Sequence, residues 1–115
     1  MGMKRIYYAG GSLLTGDRIA DAVLTYAAAL ANMRRADTVE VPELDDTGIR
    51  SSIRLLIGPA SQLYAVPEPG HPQELIDEEL VAELEKKAGS LKPPKALPLR
   101  PDDLGSGSDS DILDA

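Results

Sequence analysis

The clearest pattern of hydrophobic and polar positions runs from about residue 16 to residue 35. Apolar side chains recur there at spacings of four, three, four and three, and charged residues fall on the opposite side. This period matches the turn of an α-helix, so we expect an amphipathic helix with a broad, alanine-rich apolar face. The positions that define this face are Ile19, Val23, Tyr26, Leu30 and Met33.

Short β-prone segments lie on both sides of this helix. The segment "KRIYYA", residues 4–9, reads as a strand, and "SLLTG" after it is a loop or the short return strand of a hairpin. Three further short segments, joined by tight turns, predict an antiparallel meander. They are residues 38–41, 51–57 and 62–66.

A second helix is expected from Pro72 to about Ala88, with acidic residues in its first turns and Lys86 and Lys87 in its last. After Gly89 the chain changes to proline, then Gly/Ser and acid, a composition that does not build a packed core. We therefore expect one α+β domain over residues 3–89. The expected order of its elements is strand, helix, three-strand meander and helix. A mobile, disordered tail is expected over residues 90–115.

Composition and charge narrow the classes of function. The chain has no cysteine, which removes disulfides, thiolate metal sites and cysteine nucleophiles. Residues 1–66 carry seven basic and seven acidic groups, whereas residues 67–115 carry five and twelve, so the net charge of −7 belongs to the second half. The excess of acidic residues in the second half would repel a phosphate backbone, which argues against nucleic acid as a partner. No apolar run approaches the length of a membrane span, and we expect a cytoplasmic protein.

One spacing resembles a phosphate-binding loop, because Gly11 and Gly16 are separated by four residues. A P-loop needs a lysine after the second glycine, and Asp17 stands there instead, so we expect no nucleotide phosphate at this loop. A weaker alternative remains open, a small-ligand or phosphate site near the start or end of the first helix. Its residues would be Gly10, Gly11, Ser12, Arg18 and Arg35.

The remaining candidates point to protein contacts. Arg34, Arg35, Arg50 and Arg54 would form a basic patch if the helix end and the predicted strand 51–57 are neighbours. In "SDSDILDA", Ile112 and Leu113 stand among acids, a pattern typical of short motifs that dock into a groove. His71 is the only histidine and reads as a turn residue. We predict no catalytic residue, no metal ligand and no cofactor.

Four segments, "YAGG", "DRIA", "MRRADTVEV" and "SSIRLLIGPASQLYAV", resemble a family of small uncharacterised actinobacterial proteins. The resemblance covers roughly residues 6–66. It implies a bacterial cytoplasmic domain and supplies no activity, so no catalytic residue follows from it.

Taken together, these patterns predict a non-enzymatic protein-interaction or regulatory module. A protein partner or self-association is expected, and the alanine-rich face of the first helix and the acidic second helix are the surfaces suggested for it.

Overall fold

The computed structural model describes residues 2–91. Five strands form one antiparallel sheet in the order β4-β3-β2-β1-β5, with two helices, which confirms the expected α+β fold class. The predicted tail beyond residue 91, with Ile112 and Leu113, lies outside the described residues. The elements are β1 (Met3–Tyr8), β2 (Gly11–Gly16), α1 (Asp17–Asn32), β3 (Asp37–Leu44), β4 (Arg50–Ile57), β5 (Tyr64–Pro67) and α2 (Glu78–Ser90).

The segment "SLLTG" belongs to a return strand, the second of the two readings given for it. β1 and β2 pair from Met3↔Gly16 to Tyr8↔Gly11, so Ala9 and Gly10 alone make the turn between them. Gly10 has a φ of 86°, a conformation that glycine adopts without strain. The sheet therefore has one strand more than the four expected.

Helix α1 follows β2 directly and buries the predicted apolar face, including Ile19, Val23 and Leu30. It ends at Asn32, because the backbone N–H groups that follow form hydrogen bonds of a different pattern. The N–H groups of Arg34 and Arg35 donate to the carbonyls of Ala31 and Leu30 at 3.1 and 2.9 Å, with Arg34 at a φ of 55°. This is the Schellman arrangement that terminates a helix.

The last strand of the expected meander pairs elsewhere. β3 and β4 form a long hairpin, but β5 pairs with β1 at the opposite edge of the sheet. Tyr64 of β5 stacks on Tyr7 with ring centroids 4.8 Å apart, and Glu68, just after β5, binds Arg5 of β1 at 2.6 Å. These contacts between side chains distant in sequence fix β5 beside β1, and residues 58–63 cross the end of the sheet to reach it.

Helix α2 begins at Glu78, six residues later than predicted at Pro72. The Asp77 side chain accepts a hydrogen bond from the Leu80 N–H at 3.1 Å and caps the helix, while Leu75 before it is buried. Arg18 at the start of α1 pairs with Glu78, and Lys87 late in α2 lies 6.0 Å from the centre of the Tyr26 ring. The two helices therefore run side by side in the same direction.

Candidate functional site

The candidate site is an open cleft at one end of the sheet, where the connection between β4 and β5 passes the end of β1 and the start of β3. We call it the β4–β5 cleft. It has a volume of about 680 Å³ and is lined mostly by apolar side chains. Its lining comprises residues 54–63 together with Tyr8, Ala9 and Ala36.

Leu56 is the most exposed large hydrophobic residue of the described chain, with 73% of its surface accessible. Alternation in β4 directs Leu55 and Ile57 into the core, where they are 7% and 1% exposed, and therefore directs Leu56 outward. Its partner across the hairpin is Thr38, which offers little apolar cover. The sequence carried this signal, a leucine at an outward position of an alternating strand, but it was not singled out as a site residue.

The structure brings part of the predicted basic patch to this cleft. Arg54 lines it and is the single charged residue among the lining residues. Arg50, predicted to belong to the same patch, lies at the other end of β4 and does not line the cleft. Arg34 and Arg35 directly precede Ala36, so the helix end and β4 are neighbours, as the predicted patch requires. Within residues 2–91, no ion pair involves Arg34, Arg35 or Arg54, although Glu40 stands opposite Arg54 in the β3–β4 register.

Arg35 lies close enough to Asp37 and Tyr26, at the junction of α1 and β3, for its charge to act on both side chains. The Tyr26 hydroxyl donates to the Asp37 carboxylate at 2.5 Å, which lowers the pKa of Asp37. Lys87 and Arg35 lower that pKa further by their positive charge. Burial, and then the same hydrogen bond, raises the pKa of Tyr26 to about 12. This junction holds α1, β3 and α2 together beside the cleft.

The residues of the alternative ligand site are not brought together. Gly10 and Gly11 lie at the hairpin turn, and Arg18 lies beyond the other end of β2. A strand of six residues spans about 17 Å, so no small anion could contact both ends. Ser12 accepts a hydrogen bond from Arg5 at 3.2 Å, and Arg18 forms a two-point ion pair with Glu78 at 2.7 and 2.8 Å.

The segment between Gly11 and Gly16 is a paired β-strand, so it does not form a phosphate-binding loop. Gly16 is the N-cap residue of α1 and supplies no side-chain cap, and the Leu75 carbonyl lies close against it. A buried carboxylate oxygen of Asp17 stands in the first turn with no hydrogen-bond partner in the described residues. A negative group at this position repels the anion that a helix start would otherwise attract.

A second cleft of about 450 Å³ separates α2 from β3 and β4. It is polar, and four of its six charged lining residues form ion pairs within the domain. Lys87 lies 3.3 Å from Glu83 and 3.9 Å from Asp37, and Arg50 lies 4.0 Å from Asp77. These weak ion pairs are typical of a solvated contact between a helix and a strand.

His71, read from the sequence as a turn residue, binds Glu68 at 2.7 Å. Arg5 donates two hydrogen bonds to the same carboxylate, at 2.6 and 3.0 Å. The Arg5 contact first, and the His71 contact second, lower the pKa of Glu68 from its ordinary value of 4.5 to about 2. The arrangement ties the segment after β5 to β1.

The alanine-rich face of α1, suggested from sequence as a surface for self-association, is partly covered inside the domain, whereas Ala28 and Ala31 stay exposed. Ala20 and Ala22 are buried, and α2 packs beside α1. The small side chains allow the close approach of the two helices. The β4–β5 cleft, with Leu56 73% exposed, presents the larger exposed apolar side chain.

In residues 2–91, no group of three or more histidine, aspartate or glutamate side chains is arranged to hold a metal ion. Neither described helix has the length and hydrophobicity needed to cross a lipid bilayer. Comparison with protein-family models, curated proteins and solved structures yields no significant match to this chain. The fold and the cleft thus define an α+β domain with an open apolar surface edged by arginine.

Proposed function

We propose that this chain is a non-enzymatic protein-interaction module, and that the β4–β5 cleft binds a short extended segment of a protein partner. The observation that carries the proposal is the placement of Leu56, 73% exposed, two residues from Arg54 on the same face of β4. A complementary segment would present aliphatic side chains flanked by carboxylates. Apolar burial would supply the free energy, and the arginines would set orientation and specificity.

The left-handed backbone conformation of Arg34 supports a role for its side chain in binding a partner. An L-residue in the left-handed region costs about 1 kcal/mol relative to glycine, which is the usual residue at this position of a Schellman motif. Arginine at a position that favours glycine is consistent with a contact made by its guanidinium. Strained positions of this kind cluster at functional sites.

The shape of the cleft favours a chain segment over a small metabolite. Small-molecule sites enclose most of the ligand and converge several polar groups on it. The β4–β5 cleft is open, and Arg54 is its one charged lining residue. The sequence resemblance supports placing the module in the cytoplasm of an actinobacterium.

The proposal is tested by affinity capture from cells that naturally express the protein. The baits are the full chain, the cleft variant R54E/L56D and a matched control variant, R50E/I76D. The control removes an arginine from the other end of β4 and an exposed aliphatic residue, Ile76, which is 56% exposed and does not line the cleft. Thermal unfolding of all three baits checks that each is folded.

We expect one or more proteins to be retained by the wild-type and control baits and lost from the cleft variant. Equal capture by all three baits, or capture lost only with the control, would contradict the proposal. Retention of no protein by the wild-type bait would contradict it as well.

A further inference from the structure

We propose that the β4–β5 cleft is occupied, when no partner is bound, by the chain's own segment "DSDILD", residues 109–114. The inference rests on the proposed function of the cleft and adds its regulation, because a partner must then displace this segment. In it, Ile112 and Leu113 would cover Leu56, and the flanking carboxylates would face the arginines.

Charge complementarity is the first argument. Residues 101–115 contain five acidic and no basic residues. Arg54 lines the cleft, and Arg34 and Arg35 directly precede the lining residue Ala36 in the sequence. Ile112 and Leu113 are adjacent aliphatic residues that would pack on the exposed Leu56. The carboxylates around them would be attracted to the positive charge of the nearby arginine.

The point where the chain leaves the described domain is the second argument. Leu91 follows α2, and its N–H donates to the Lys87 carbonyl at 3.2 Å. The Lys87 ammonium lies 3.9 Å from Asp37, which is the neighbour of the cleft residue Ala36. The chain therefore continues from the end of the molecule at which the cleft opens.

The length of the remaining chain is the third argument. From Leu91 to Ile112 there are 21 residues. As a general measure, an unstructured chain of 21 residues has a root-mean-square end-to-end distance of about 25 Å. Such a tether produces an effective concentration on the order of millimolar, so even a weak contact would be populated.

The first experiment compares backbone amide chemical shifts in the full chain. The variant I112D/L113D removes the proposed contact, and L97D/L99D is the matched control, since it adds the same two charges to the same part of the sequence. We expect I112D/L113D to shift the amide signals of Ala36, Leu56 and Gly58, and the control to leave them unchanged. The shifts should not depend on protein concentration.

A second experiment adds the synthetic peptide GSGSDSDILDA to the wild-type chain and to I112D/L113D. If the chain's own segment competes for the cleft, the peptide should bind the variant about tenfold more tightly than the wild type. In both proteins the shifted signals should be those of the cleft.

The outcomes separate this inference from the proposed function. Equal binding of the peptide to both proteins at the cleft would overturn self-occupancy and leave the cleft as a binding surface. No binding to either protein, binding elsewhere, or cleft shifts that grow with protein concentration, as a second copy would cause, would also overturn it. Failure of the proposed function itself would appear in the capture experiment, which requires an external partner.

Discussion

At the scale of single residues, Arg34 occupies the left-handed position that closes α1. We predict that R34G stabilises the domain by about 1 kcal/mol relative to R34A, because both variants remove the charge and only glycine relieves the backbone. Urea unfolding of the two variants measures the difference. Equal stability of R34G and R34A would show that the position carries no strain.

Gly16 is a second residue with a defined steric role. A Cβ at this position would lie 1.9 Å from the Leu75 carbonyl oxygen, although the backbone itself is extended and unstrained. We predict that G16A destabilises the domain by about 2 kcal/mol. G89A is the matched control, because a Cβ at Gly89 in α2 meets nothing within 4 Å. Thermal or urea unfolding should show G89A at or above wild-type stability, and a tolerated G16A would refute the close contact.

At the scale of elements, the Arg5–Glu68 pair connects β1 to the segment after β5. The folded-state pKa of Glu68 is lowered to about 2 from 4.5, so its contribution is complete above pH 4.5 and is lost as pH falls toward 2. Because the pair is partly exposed, we predict that E68Q costs about 1 kcal/mol at neutral pH.

The measurement is urea unfolding of wild type and E68Q at a series of pH values. Their difference in stability should be present at pH 7 and should shrink as pH falls below the ordinary value of 4.5. E79Q, an exposed residue of α2 in none of the described ion pairs, should track the wild type throughout. A pH-independent difference for E68Q would contradict the assigned pKa.

Periodicity predicted the elements whose patterns are local. Ile19, Val23 and Leu30 lie on the buried face of α1, as their spacing required. Local patterns did not predict which strand β5 joins, since the Tyr7–Tyr64 stack and the Arg5–Glu68 pair join positions far apart in sequence. The start of α2 was placed too early for a related reason, because packing buries Leu75 before the helix and leaves Ile76 exposed.

At the scale of the whole molecule, the separation of Gly11 from Arg18 by the length of β2 removes the basis for a nucleotide site. We predict that millimolar ATP or GTP leaves the melting temperature unchanged in a thermal-shift assay. A stabilisation that disappears in R18A and persists in R50A would contradict this prediction and revive the ligand alternative.

Only part of the candidate site could be predicted from the sequence. Arg34, Arg35 and Arg54 were named because they are charged, but their grouping depends on the pairing of β3 with β4. The apolar half of the cleft depends on residues 58–63 crossing to β1, and no local pattern in the sequence specifies that crossing.

The central claim is that the surface around Leu56 contacts another protein. A photo-reactive amino acid placed at position 56, and separately at the matched exposed position 76, tests it in cells that naturally express the chain. We predict a crosslinked partner from position 56 and none from position 76. Crosslinking from position 76 alone, or from neither position, would contradict the account.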